Sequence, residues 1–161
     1  MSETKLASPR SWFAALALCV SSALSAAAPS PSPSLNFKTI KTRADLHREV
    51  ASASAASRPA MVWVRAQWAL SALEMESKTF ADPAVISATS GLILLRADVT
   101  NFDSEDKQLL AEWHLRGTPA VLFYGADGTE QRNFRVLGFM KAAAFAAMVQ
   151  AAAAKAPGNT Q

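Results

Sequence analysis

Ala60-Met61-Val62-Trp63-Val64-Arg65-Ala66 is β-rich and apolar at every position until Arg65. Side chains alternate between the two faces of a strand, so a run apolar at both parities has to be covered on both sides. Gly91-Leu92-Ile93-Leu94-Leu95-Arg96-Ala97-Asp98-Val99 is a second run of this kind. Between and around these two runs the period turns helical. Thr42 opens one helix, with Asp45 three residues on and Leu46 and Val50 on a common face. Residues 69–79 form a second, through Leu70 and Leu73 and less regularly Met75 and Phe80. Asp82-Pro83 is a cap-and-first-turn pair that opens a short third helix. Asp103 caps a fourth, in which Glu105 and Asp106 favour the positive end and Leu109, Leu110 and Trp113 face inward.

Further strands are expected at residues 35–40, 120–124 and 134–139. The last two are joined by the hairpin turn Gly125-Ala126-Asp127-Gly128. An Ala-rich helix over residues 141–155 closes the chain. The order β α β α (α) β α β β α gives an α/β three-layer sandwich, a mixed central sheet flanked by helices, in one domain over residues 35–155. With 161 residues, half of them hydrophobic, the chain has material for one core of ordinary size and no room for two full domains.

The first 28 residues read as an export signal. Lys5 and Arg10 precede an uncharged apolar stretch at residues 12–24, and Ser25-Ala26-Ala27-Ala28 offers small residues for cleavage. Trp12 to Ala28 is 17 residues, short of the roughly 20 strongly apolar residues of a membrane span. An uncleaved anchor is the alternative, and membrane attachment is expected only in that case. Pro29-Ser30-Pro31-Ser32-Pro33-Ser34 is an extended spacer, and residues 156–161 are a flexible polar tail. The expected location is the periplasm or the outside of a bacterial cell.

The net charge of +3 comes from scattered residues with no run of Lys or Arg, which does not make a nucleic-acid footprint. Nucleotide-binding glycine patterns are absent, and no cofactor is implied. The single cysteine, Cys19, lies inside the apolar leader, so the mature chain is expected to contain none.

The element order, with Thr118-Pro119 before the third buried strand, resembles the thioredoxin fold. Further motifs sharpen the likeness: Phe37 to Thr42 with Asp45-Leu46, Ala66 and Trp68, Glu74-Met75-Glu76 with Thr79-Phe80, and Asp82-Pro83 with Val85. Ala97-Asp98-Val99-Thr100, Gly117-Thr118-Pro119 and Arg135-Val136 with Gly138-Phe139 complete the set. Over about residues 35 to 150 the chain resembles the carboxy-terminal periplasmic domain of the bacterial thiol:disulfide interchange protein DsbD. That resemblance implies a cis Thr118-Pro119 bond beside the start of the helix that follows Trp68. It also implies descent from protein-disulfide reductases.

The departures fall on the chemistry. Where the family carries Trp-Cys-x-x-Cys, this chain reads Trp68-Ala69-Leu70-Ser71-Ala72. The family's Lys after the second cysteine is Leu73, the aromatic three before the Trp is Arg65, and the acid before the Trp is Gln67. The strand acid that tunes the thiols is replaced by Trp63, and the helix acid is kept as Glu76. Disulfide exchange needs one thiolate to attack and a second thiol to resolve, and alanine supplies neither. Because the neighbours have changed along with the cysteines, natural loss of the redox site is the expectation.

Other candidates are bland. Ser71 has no base or oxyanion motif around it. His47 and His114 lack partners at metal-ligand spacing, so no metal site is expected; one surface and one partly buried histidine are. Glu74 and Glu76 point to different sides of their helix. Trp63 and Trp113 belong to the core and Trp68 to the surface. The function expected is therefore a redox-inactive binding or assembly module. Trp68, Ala69, Leu70, Ser71, Ala72, Thr118 and Pro119 are its candidate partner-binding residues, and an exported or envelope protein is its partner. The alternatives are a thiol:disulfide interchange enzyme by descent and a structural subunit of an envelope complex.

Overall fold

The computed structural model describes residues 34–155. The expected leader, most of the Pro-Ser spacer and the tail lie outside these residues. β1 is Lys38–Ile40, and Thr42 then caps α1, Arg43–Ala55. The Thr42 side chain accepts from the Asp45 N–H while Asp45 accepts from the Thr42 N–H, a reciprocal capping box. β2, Ala60–Arg65, is buried along its whole length. α2 spans Leu70–Glu74 and runs directly into a π-helical segment, Met75–Thr79. α3, Pro83–Thr89, starts on the Asp82 cap, and β3 follows at Ile93–Asp98. α4, Ser104–Glu112, begins with a second capping box, Asp103 with Asp106. β4, Ala120–Tyr124, and β5, Val136–Leu137, form the hairpin, and α5 is Ala142–Ala154. Gly128 takes φ +78° in the hairpin turn, a left-handed conformation that suits glycine. Among the described residues no helix is long and apolar enough to cross a membrane.

The sheet order is β1-β3-β2-β4-β5. β3 pairs parallel with β1 and β2, while β4 pairs antiparallel with β2 and β5, so the sheet is mixed as expected. Strand alternation sends Met61, Trp63 and Arg65 to one face and Val62 and Val64 to the other. On the first face Trp63 meets Phe80 edge-on at 4.8 Å between centroids, and Phe80 meets Phe145 of α5 at 5.4 Å. On the second, α1 and α4 pack together, and the Trp113 indole N–H donates to the Tyr124 hydroxyl at 2.9 Å. Trp63 and Trp113 are both core residues, as the sequence predicts.

Three elements differ from expectation. The first strand covers only Lys38–Ile40, the stretch in register with Leu95–Ala97; Phe37 instead packs on Phe80 at 5.7 Å. The last strand is two residues long, because Arg132–Phe134 closes a 3-10 turn and Arg135 is drawn to Glu130 and the Trp113 carbonyl. The helix over 69–79 widens at Met75, where the Phe80 N–H reaches the Met75 carbonyl five residues back. There the Ser77 hydroxyl donates to the carbonyls of Leu73 and Glu74, a side-chain bond that loosens helical regularity.

Phe145 is fully buried between Phe80 and Phe123. Phe145→Ala is expected to cost about 3–5 kcal/mol of unfolding free energy in urea titrations.

The helix starts are also electrostatic. The Arg48 guanidinium, followed by the backbone N–H groups of Lys41 and Thr42, holds the Asp45 carboxyl far below the usual carboxylate range. The Lys41 ammonium and then the Asp106 N–H lower that of Asp103. A carboxyl depressed on folding stabilises fully above its unfolded pKa of about 4, and that contribution fades as pH falls through the folded value. The urea midpoint is therefore expected to be flat above about pH 5 and to decline steadily below about pH 4.

Candidate functional site

The C-terminal end of β2 delivers the chain to Trp68 and the start of α2. Ala69 is the N-cap of α2 without a capping side chain, and the Ala72 N–H bonds back to its carbonyl at 2.9 Å. The Ala69 and Ala72 side chains are buried. The Thr118–Pro119 bond is cis, and the Thr118 hydroxyl donates to the Val64 carbonyl at 3.0 Å, tying this loop to β2. The buried Pro119 offers its carbonyl to the Gly138 N–H at 2.9 Å. Ala69, Ala72 and Pro119 therefore underlie the surface rather than form it. No sulfur stands at either position, and methyl groups can neither ionise nor exchange.

A polar network sits next to this apolar floor. Arg65, the last residue of β2, is in register with Asp98, and its Nη1 donates to Asp98 Oδ2 at 2.6 Å. Its Nε lies 2.6 Å from Glu76 Oε1, a charge contact that is not aligned as a hydrogen bond. The same Glu76 oxygen accepts from the Trp63 indole at 3.3 Å. Asp98 also accepts from the Thr100 N–H at 3.0 Å and from the Thr100 hydroxyl. Thr100 in turn takes the Gln67 N–H on its hydroxyl oxygen at 2.9 Å and the Trp68 indole N–H on its carbonyl at 3.1 Å. Burial pushes the Asp98 carboxyl up, but the Thr100 hydroxyl and N–H and the Arg65 guanidinium outweigh it, leaving the group below its ordinary value.

The network ends on an exposed apolar surface. Trp68 is 62% exposed and Leu70 78%, with Leu73 one helical turn further along α2. Phe102 is 53% exposed, two residues beyond Thr100, and has φ +50°. A bulky residue held in the left-handed region is uncommon and strained. Lys107 stands 5.1 Å over its ring. On the other side of the cis turn Leu137 is 68% exposed, beside a groove shared with His114, Arg116, Thr118 and Pro119.

Of the candidate binding residues, Trp68 and Leu70 are exposed and Ser71 and Thr118 are half-buried. Leu73, read with Leu70 as the apolar period of this helix, is exposed with it; Phe102 and Leu137 were not singled out in the sequence. Nor were Arg65, Asp98 and Thr100 as a network, although the register of two adjacent strands ending in Arg65 and Asp98 was the available signal. Both histidines are exposed, a correction to the expectation that one is partly buried. His47 pairs with Glu112 on the surface, and His114 lies past the end of α4 with φ +54°. Glu74 and Glu76 diverge, the first to Lys78 and the second to Arg65. Among the described residues no cluster of His, Cys, Asp and Glu suits a metal ion.

Residues 46–153 match the family described as thioredoxin-like domain. The chain belongs to the thioredoxin-like domain family. Within it, the chain is 40% identical over 113 residues to the thiol:disulfide interchange protein DsbD of Salmonella paratyphi A, and 38% identical to that of Escherichia coli K12. Each alignment covers 70% of this chain and 20% of the relative, so the chain spans about a fifth of the length of these curated relatives. The oxidised carboxy-terminal domain of DsbD from Neisseria meningitidis superposes with a TM-score of 0.61 at 27% identity, covering 71% of this chain and 99% of that one. Fasciola hepatica thioredoxin superposes at 0.57 with 17% identity over 72% of this chain and 99% of its own, a likeness of fold. In this thioredoxin-like domain the only cysteine of the whole sequence, Cys19, precedes the matched region.

Asp98→Ala removes the acceptor that fixes Thr100, and through it the Trp68 indole. The heteronuclear NOE of the Trp68 indole N–H is expected to drop while that of Trp113 stays unchanged. Because the Asp98 carboxyl is depressed, acidification of the unaltered protein should loosen Trp68 in the same way only below about pH 4.

Proposed function

We propose that this thioredoxin-like domain is an exported, thiol-independent binding module that holds an envelope protein through the surface around Trp68. One observation carries the reading: both positions where sulfur would stand are buried alanines, while the exposed Trp68 beside them is held in place by a polar network. Exposed apolar groups that are fixed rather than mobile lose little entropy on docking. Large aromatic side chains such as Trp68 are what interface centres favour. Trp68, Leu70, Leu73, Phe102 and Leu137 make the contact in this reading, with Ser71 and Thr118 at its rim and Ala69, Ala72 and Pro119 as its support. The similarity to DsbD supports placement in the bacterial envelope and descent from a reductase.

The experiment is a pair of measurements on the mature protein. Insulin reduction with a dithiol is expected to stay at the uncatalysed blank. A photo-crosslinker placed at Leu70 is expected to give a defined adduct in envelope extracts, lost with Trp68→Ala, whereas one at the exposed Ala147 of α5 gives none. Turnover above blank, or equal labelling from both positions, contradicts the proposal.

Restoring the sulfurs is expected to give a poor redox site. In Ala69→Cys/Ala72→Cys the second thiol sits at a position with no exposure to water, where burial raises a thiol's pKa. The nearby Glu76 is already engaged by Arg65 and Trp63. The double variant should form its disulfide under oxidant yet turn over at roughly a hundredth or less of a thioredoxin's rate, resolution of the mixed disulfide being slow. Thiolate absorbance against pH and reductase turnover measure both halves of that statement.

A further inference from the structure

On the sheet face that carries Trp63, a cavity of about 310 Å³ lies between β3, the π-helical segment and the residues ahead of β1. Leu35, Phe37, Trp63 and Phe80 give it apolar walls, and Arg96 and Glu76 are its charged groups. Arg96 stands in mid-strand on β3, in register with Thr39 of β1 and Trp63 of β2. Its guanidinium makes one long hydrogen bond, from Nη2 to the Thr39 hydroxyl at 3.3 Å, and its Nε is shut off from water without a partner. The other arginines that reach into the domain are matched: Arg65 by Asp98 and Glu76, Arg135 by Glu130. Among the described residues no carboxylate lies within ion-pairing distance of Arg96. Glu76 shares its cavity but is turned to Arg65 and Trp63.

With Nε inaccessible and only one long bond to Thr39, the Arg96 guanidinium keeps free donors on its Nη groups, and a planar carboxylate is the group that best matches them. The remaining walls are aromatic and aliphatic, so the body attached to that carboxylate has to be apolar. A single unmatched cation, with the Glu76 carboxylate nearby, disfavours a doubly charged phosphate. The volume is at the lower end for small-molecule sites, enough for one ring and a short arm. We propose that this cavity binds a small monocarboxylate with an aromatic or branched apolar body, its carboxylate on Arg96 and its body between Phe37 and Phe80. This site is separate from the Trp68 surface and does not rest on the function proposed for it.

The probe is 3-phenylpropionate titrated into the full chain, followed by 1H–15N spectra that read the Arg96 Nε–H and the Trp63 indole N–H. Saturable shifts at those two groups are expected, with half-saturation at roughly millimolar concentration, as suits a ligand of this few atoms. The uncharged 3-phenylpropanamide should bind the unaltered protein about tenfold more weakly or worse, and Arg96→Gln should weaken the acid by a similar factor. The acid–amide comparison needs no variant and decides the matter if Arg96→Gln does not fold. Equal binding of acid and amide, shifts centred on Trp68 or Trp113, or no saturation by about 20 mM, a concentration well above that range, would overturn the proposal.

Discussion

Every residue of β2 from Ala60 to Arg65 is buried, and the last of them carries a charge. A guanidinium in that position has to be answered by carboxylates, because an unpaired buried charge is strongly destabilising. Asp98 answers from the neighbouring strand at the same register, and Glu76 answers from the π-helical segment. Each of these acids then reaches a second group: Glu76 takes the Trp63 indole, and Asp98 takes Thr100, which holds Gln67 and Trp68. The conformation of the loop between β2 and α2 thus follows from the need to satisfy one arginine.

The likeness to DsbD makes this arrangement informative. Disulfide exchange runs through a thiolate and a second thiol. Here the sulfur positions are methyl groups, and the acids face a cation and an indole. The groups around the alanines form a charge-paired cluster whose exposed end is the Trp68 indole. Ion pairs of this kind add little net stability by themselves. Their effect is geometric, because they give the loop a single arrangement.

Much of the fold could be read from the sequence because its cues are local. The doubly apolar runs at 60–66 and 91–99 are the strands β2 and β3, though only β2 is buried throughout and β3 is fully buried only at Leu95 and Ala97, and Thr42, Asp82 and Asp103 cap the helices they were expected to cap. Misjudged bounds belong to segments whose shape is set by distant partners. Phe37 leaves the strand to meet Phe80, and Arg135 shortens β5 by turning to Glu130 and the Trp113 carbonyl. The π-helical widening depends on where Phe80 packs, which no window of the sequence contains. At the candidate site, the loss of the thiols was plain from Ala69 and Ala72 alone. The network was not, because Arg65 and Asp98 are brought together by strand register and Glu76 by the packing of the π-helical segment against β2. The burial of Ala69 and Ala72, and the exposure of Phe102 and Leu137, are likewise tertiary outcomes.

Lys41 joins two capping boxes that are far apart in the chain. Its backbone N–H donates to the Asp45 carboxylate at the start of α1, and its ammonium pairs with Asp103 at 2.8 Å and with the buried Asp106 at the start of α4. If either helix begins to fray, it withdraws a partner from the residue that secures the other. Two helices whose first turns would otherwise open independently are thereby made one cooperative unit. The least stable ends of this protein should therefore be sought in its other segments, such as the two-residue β5 and the cap-free start of α5.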